Sequence, residues 1–147
     1  MGDQQQAFLK KQGVPAHRII IGHSCGSTNH GYHMKILSEG SYVGFDRFGL
    51  EPLVPDAERA KSVMALIHKG KVEQIIVSHD SAWGWRGGQI PSPEAKAYLD
   101  SMFNPCHFHD NIVPMLKSMG ADDRQIEMLL VDNPRRFFSD EPLSAGR

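Results

Sequence analysis

The sequence has little cysteine, almost no net charge and no long apolar segment. Two cysteines among 147 residues, Cys25 and Cys106, are too few for a disulfide framework and form no Cys-x-x-Cys pair, which favours a reducing, cytoplasmic location. Sixteen basic and seventeen acidic residues leave a formal net charge of −1, so neither nucleic acid nor an anionic membrane is indicated as a partner. No apolar run approaches the roughly 18 residues of a membrane span, and the N-terminus lacks the features of a signal peptide.

What the chain does contain is an alternation of strand-like and helix-like segments. Apolar runs predict strands at residues 18–22, 41–45 and 73–78, and the three isoleucines of the first run are typical of a strand buried on both faces of a parallel sheet. Alternating strands and helices predict an α/β fold with right-handed crossovers in a single domain. Helices are predicted at residues 4–12, 29–38, 107–119, 122–131 and 133–138, and from an N-cap at Asp56 to Gly70.

Polar side chains follow all three predicted strands. His23 follows the first strand, Asp46 and Arg47 follow the second, and His79 and Asp80 follow the third. The carboxyl ends of parallel strands share one face, and ligands bind there. The topology therefore predicts that these side chains lie together on one face.

Imidazole and carboxylate groups are ligands that suit zinc, manganese or iron, and a metal-bound hydroxide is a competent nucleophile toward esters and phosphoesters. Arg47 would suit an anionic or oxygen-rich substrate. Each residue also has an ordinary interpretation. His23 alone would be a hydrogen-bonded structural histidine, Asp80 would cap a turn, and Arg47 would pair with Asp46 or Glu51. Their shared face is what favours a functional site.

Two further aromatic groups need interpretation. His107 and His109 form a His-x-His pattern, but residues two apart on a helix diverge by about 200°, so a helix N-terminal role is favoured over metal binding. Trp83 and Trp85 follow the third strand tip in a loop, and they are either substrate-pocket walls or packing residues at the mouth of the site.

Four short segments together are similar to a known family. They are Ile-Ile-Gly-His-Ser-Cys-Gly-Ser (20–27), Gly-Phe-Asp-Arg-Phe-Gly-Leu (44–50), Ile-Val-Ser-His-Asp (76–80) and Val-Asp-Asn-Pro-Arg-Arg-Phe-Phe (131–138). In this order they resemble the C-terminal half of the phosphotriesterase family, within the amidohydrolase superfamily. The Asp-Arg-Phe-Gly variant looks like the phosphotriesterase-related and lactonase branch, because true phosphotriesterases tend to have histidine where Arg47 stands.

The resemblance implies a partial TIM (β/α)₈ barrel over residues 1–138, made of the last three βα units and C-terminal helices, followed by a flexible tail at 139–147. It implies two divalent metals, of which zinc is the expected ion, bridged by a carboxylated lysine and a hydroxide. His23 would bind one metal. Asp80 would bind the other and accept the proton of the attacking hydroxide. Arg47 would line the substrate site; His79, which is asparagine in some members, receives no role.

The chain lacks several strands and metal ligands that members of the family have. A complete barrel takes about 250 residues, and the family's His-x-His of strand one, lysine of strand four and histidine of strand five have no counterpart here. A catalytic zinc usually needs three protein ligands, whereas this chain brings one for each metal. An N-terminally truncated chain that binds metal weakly and hydrolyses little by itself is therefore expected.

The sequence supports two classes of function. The first is a metal-dependent hydrolase of ester-type bonds in a small lactone, carboxylester or organophosphate, working by attack of the metal-bridging hydroxide. The alternative is a non-catalytic half-barrel that acts as an oligomerisation or interaction module. The partners implied are a second copy in a homodimer or a separate chain that supplies the complementing N-terminal half.

Overall fold

Three short parallel strands form the centre of the fold. The computed structural model describes residues 1–81 and 92–143. The strand order is β1-β2-β3, with Ile20 opposite Tyr42 and Val43 opposite Ile75. The elements are α1 (Gly2–Lys11), β1 (Ile20–Ile21), α2 (His30–Ser38), β2 (Tyr42–Phe45), α3 (Asp56–His68), β3 (Ile75–Val77), α4 (Pro93–Met102), α5 (Val113–Ser118), α6 (Asp123–Glu127) and α7 (Asn133–Phe138), with π-helical segments at Phe108–Ile112 and Met128–Asp132.

The central strand β2 is enclosed on both faces. All four of its residues are buried, and Val43 and Phe45 are fully inaccessible to solvent. Helix α2 packs Ile36 and Leu37 into the core, and the buried apolar side chains of α3 belong to the same core cluster. Burial on both faces is what parallel strands require, and the predicted parallel α/β arrangement is confirmed for these three strands.

Two local predictions differ from the structure. Helix α4 was not predicted, although Pro93 at its first turn is a recognised start signal. Asp56 is not an N-cap: Pro55 holds that position, and the Asp56 side chain turns inward as the first residue of α3. No helix in the two described ranges is long and apolar enough to cross a bilayer.

The Asp56 carboxylate fixes the loop that follows β2. Its side chain is 4% exposed and accepts hydrogen bonds from the Gly49 backbone N–H at 3.0 and 3.1 Å and from Arg59 Nη1 at 2.9 Å. Arg59 also donates to the Leu50 carbonyl oxygen at 3.1 Å. His107 Nε2 lies 2.6 Å from Asp56 Oδ2, which ties the loop to the C-terminal helices. A buried carboxylate keeps its charge only with such partners, so this network holds the loop rigidly.

The two histidines of the His-x-His pattern should therefore contribute unequally to the free energy of unfolding. His107→Ala should lower the free energy of unfolding by about 1–3 kcal/mol, because it removes one donor from a buried carboxylate. His109 is exposed, and His109→Ala should change the free energy by about 0.5 kcal/mol or less. Urea unfolding followed by circular dichroism measures both, and equal effects of the two substitutions would contradict the network.

Candidate functional site

The three strand tips lie at the same edge of the sheet and are joined by two side-chain pairs. His23 follows β1, Asp46 and Arg47 follow β2, and Asp80 follows β3. Asp46 accepts from the backbone N–H of His23 at 2.9 Å, and Arg47 Nε donates to Asp80 Oδ2 at 3.2 Å. Each tip thus contacts the next one, as the parallel topology predicts.

His23 and Asp80 both have a left-handed backbone. Their φ angles are 54° and 51°, and in the described ranges Asp140 is the one other non-glycine residue with positive φ. The left-handed region costs an L-residue roughly 1–2 kcal/mol. Such strain persists only where the surrounding structure determines it, and it concentrates at functional sites. Two of the chain's strained residues are therefore the two strand-tip residues expected to bind metal.

The His23 side chain is oriented by Asp46. His23 Nδ1 lies 3.1 Å from Asp46 Oδ1, while half of the His23 side chain remains exposed. This contact directs the opposite ring nitrogen, Nε2, away from the carboxylate. Histidine ligands of metals commonly hold their second ring nitrogen against a carboxylate in this way.

Arg47 pairs with Asp80, not with Asp46 or Glu51. The Arg47 and Asp80 side chains are 30% and 42% exposed, and a pair this open contributes only about 0–1 kcal/mol to stability. Its importance is geometric, because it holds one carboxylate oxygen of Asp80 beside a guanidinium. His79 turns away to accept the Ser81 backbone N–H at Nδ1, 3.1 Å away.

Space for a small ligand lies beside His23. An open hollow of about 460 Å³ is lined by the loop after β1, including Ser27 and Asn29, together with Tyr32 of α2 and Met1. Trp83 and Trp85, predicted to line the substrate site, lie outside the described residues.

The donor types present suit a divalent metal, but their number is small. One imidazole and one carboxylate stand at the outer tips, and each has a neighbouring group that orients it. Within residues 1–81 and 92–143, no group of three or more His, Cys, Asp or Glu side chains is arranged to hold an ion. The residues therefore fit as part of a ligand set, one donor per tip.

Two residues beside the candidate ligands received no site role in the sequence analysis. Asp46 was recognised as a tip residue but received no role, because its contacts depend on the register between β1 and β2. A second neighbour, His33, is fully buried, and its Nε2 donates to the Ser24 carbonyl oxygen at 2.9 Å, which supports the turn after His23.

The buried His33 ring should make stability depend on pH. Burial lowers the pKa of His33. The hydrogen bond to the Ser24 carbonyl oxygen opposes this shift and nearby His30 adds to it, so protonation of the ring is less favourable in the folded state. A depressed pKa means that stability is fully present above the unfolded value of about 6.5 and is lost as pH falls below it. Urea midpoints should therefore decrease from pH 7.5 to 5.5, and His33→Gln should flatten that decrease. His68→Gln, at an exposed position, is the control, and an unchanged slope in His33→Gln would count against this origin.

Comparison with known proteins gives consistent matches. The model of the phosphotriesterase family matches residues 1–138. "Phosphotriesterase homology protein" of Mycobacterium tuberculosis is 33% identical over 137 residues, which cover 93% of this chain and 41% of that protein. "Aryldialkylphosphatase" of Saccharolobus solfataricus is 32% identical over 142 residues, covering 94% and 44%.

A solved structure agrees with this relationship. The organophosphorus hydrolase from Deinococcus radiodurans is 36% identical and superimposes with a TM-score of 0.84, covering 93% of this chain and 42% of that one. The chain therefore spans less than half the length of the relatives that it matches.

Proposed function

Because the chain belongs to the phosphotriesterase family, we propose that it forms the C-terminal part of a metal-dependent hydrolase of ester-type bonds. The substrate class is a small lactone, carboxylester or phosphotriester. The observation that carries the proposal is the pairing of tips: His23 against Asp46 and Asp80 against Arg47, with both candidate ligands in the left-handed conformation. Residues 1–138 would form the last three units of a (β/α)₈ barrel in a cytoplasmic protein, and residues 139–147 a tail.

In this proposal His23 Nε2 and the Asp80 carboxylate would each help to hold a divalent metal, with zinc as the expected ion. A metal bound there supplies Lewis acidity and a water activated near neutral pH. The residues of this chain do the rest. Asp80 accepts the proton released by the attacking water, and Arg47 Nε, 3.2 Å from Asp80 Oδ2, keeps that carboxylate oriented.

Arg47 would also bind the substrate. Its side chain is partly exposed beside Asp80, so its guanidinium has donors left for a carbonyl or phosphoryl oxygen. Trp83 and Trp85 are proposed as apolar walls of the same substrate site.

The proposal requires ligands beyond those of the described residues. One donor per metal falls short of the three protein ligands that a catalytic zinc usually has. The remaining ligands would come from further sequence of the same polypeptide or from a complementing N-terminal chain. This chain by itself should then bind zinc weakly and have little activity.

A second candidate function follows from the sheet edges. Among the described residues β1 and β3 each pair with β2 alone, so each presents one strand edge. Unpaired edges favour association with another chain. A half-barrel that pairs with a second copy, as an interaction module without catalysis, is the alternative.

The mass of the native protein tests whether the barrel is completed within one polypeptide. Immunoprecipitation from the source cells with an antibody against Asn133–Phe138, followed by intact-mass measurement, should give a species about twice the 16.4 kDa of this chain if the barrel is completed within one polypeptide. A native species of 16.4 kDa would favour the half-barrel or a separate complementing chain.

In the complete enzyme, the two members of the Arg47–Asp80 pair should differ in importance. Asp80→Asn should reduce turnover by about 10²–10⁴-fold, because one group is both ligand and proton acceptor. Arg47→Lys keeps the positive charge and should reduce it by about tenfold or less. Steady-state kinetics on a lactone and a phosphotriester measures both changes.

Asp140→Asn is a matched control for this experiment. Asp140 also has positive φ and also pairs with an arginine, Arg18 Nη1 at 2.9 Å, but its carboxylate contacts residues of the short 3₁₀ helix Ala16–Arg18 and not the strand tips. Its loss should leave turnover unchanged. Equal, mild losses for Asp80→Asn and Arg47→Lys would show that Asp80 does not bind the metal.

A further inference from the structure

We propose that Asp46 is a positioning residue: its carboxylate fixes the left-handed backbone of His23 and the proton on His23 Nδ1, which leaves the lone pair on Nε2 for a ligand. The sequence analysis gave Asp46 no role. The inference deepens the proposed function, and it rests on that function only for the identity of the ligand at Nε2.

The first support is that one carboxylate contacts both the backbone and the ring of His23. The backbone N–H lies 2.9 Å from Asp46 Oδ1 and 3.0 Å from Oδ2, and Nδ1 lies 3.1 Å from Oδ1. An ionised carboxylate only accepts hydrogen bonds, so Nδ1 must donate. In the neutral ring the other nitrogen, Nε2, then carries the lone pair.

The second support is that two glycines, Gly22 and Gly44, leave room for the Asp46 carboxylate. A Cβ built on Gly44 would lie 3.0 Å from Asp46 Oδ2 and 3.0 Å from the Gly22 Cα, and a Cβ on Gly22 would lie 3.2 Å from Oδ2. These distances are tighter than ordinary contacts. Glycine at both positions, one on β2 and one at the end of β1, therefore makes room for the carboxylate beside the His23 backbone.

The third support is the cost of the conformation that Asp46 holds. His23 has a φ of 54°, a value that is uncommon for residues other than glycine. The contacts of both Asp46 carboxylate oxygens with the His23 backbone N–H compensate this strain. Holding the turn would not require the additional contact between Asp46 and His23 Nδ1. Cys25 Sγ, 3.8 Å from Oδ1, donates to the same carboxylate and leaves its position further constrained.

The tautomer can be measured without metal. Long-range ¹H–¹⁵N spectra of the ¹⁵N-labelled full chain at about pH 8.5, above the ordinary imidazole pKa of about 6.5, distinguish the two neutral tautomers by their nitrogen shifts. His23, assigned from His23→Gln, should show the Nδ1–H form as the major species. A mixture like that of a solvated imidazole in the unaltered chain would overturn the proposal without any variant.

Variants separate the carboxylate from the fold around it. Asp46→Asn should convert His23 to such a mixture. Gly22→Ala, whose added Cβ would meet Asp46 Oδ2 at 3.2 Å, should do the same with the carboxylate still present but displaced. Gly26→Ala is the matched control, because a Cβ there meets nothing within 4 Å.

A second control uses a different histidine and carboxylate. Asp140→Asn should affect His17, whose Nε2 lies 3.3 Å from Asp140 Oδ1, and leave His23 unchanged. A His23 spectrum unaffected by Asp46→Asn, in a variant that keeps the remaining amide spectrum, refutes the proposal.

A zinc titration separates this inference from the proposed function. Loss of a carboxylate that orients a histidine ligand weakens metal affinity by about 10–100-fold, and Asp46→Asn should show that reduction relative to the unaltered chain. If His23 is held as the Nδ1–H tautomer but zinc is bound equally by the unaltered chain and by His23→Gln, the positioning role stands and the metal assignment fails. If the tautomer is not held, the positioning role fails whatever the zinc result.

Discussion

Parallel pairing of β2 with both of its neighbours is the constraint on which the site depends. Because the three strands run the same way, their carboxyl ends share one edge, and residues far apart in sequence meet there. His23 and Asp46 are separated by 23 in sequence number and Arg47 and Asp80 by 33, and strand pairing with crossover helices brings each pair together. An antiparallel neighbour would send one of these tips to the opposite edge.

The site consists of two units that share the β2 tip. Asp46 serves the β1 side and Arg47 serves the β3 side, and these two residues are adjacent in sequence. Because β2 is the middle strand, the two adjacent residues that follow it lie between the other two tips and can contact one on each side. Membership of the phosphotriesterase family gives this arrangement its chemical interpretation.

The sequence predicted the parts of this fold that depend on local pattern. The isoleucine-rich run before His23 indicated a buried parallel strand, and strand ends indicated where polar groups would meet. The role of Asp46 was not predictable, because it depends on the register of β2 against β1 and on the space left by two glycines. Asp56 was assigned from local capping statistics, but its side chain is oriented by Gly49, Arg59 and a partner from far along the chain, His107.

The hydrogen bond between His107 and Asp56 also has a consequence for folding order. It joins residues 51 positions apart, so it forms only after the C-terminal helices have docked on the strand-bearing half. Closing so long a segment costs conformational entropy that local contacts do not recover. The contacts of Asp56 with Gly49 and Arg59 are local and do not need the C-terminal helices. The contact with His107 is added when the last part of the chain packs against the loop that follows Arg47.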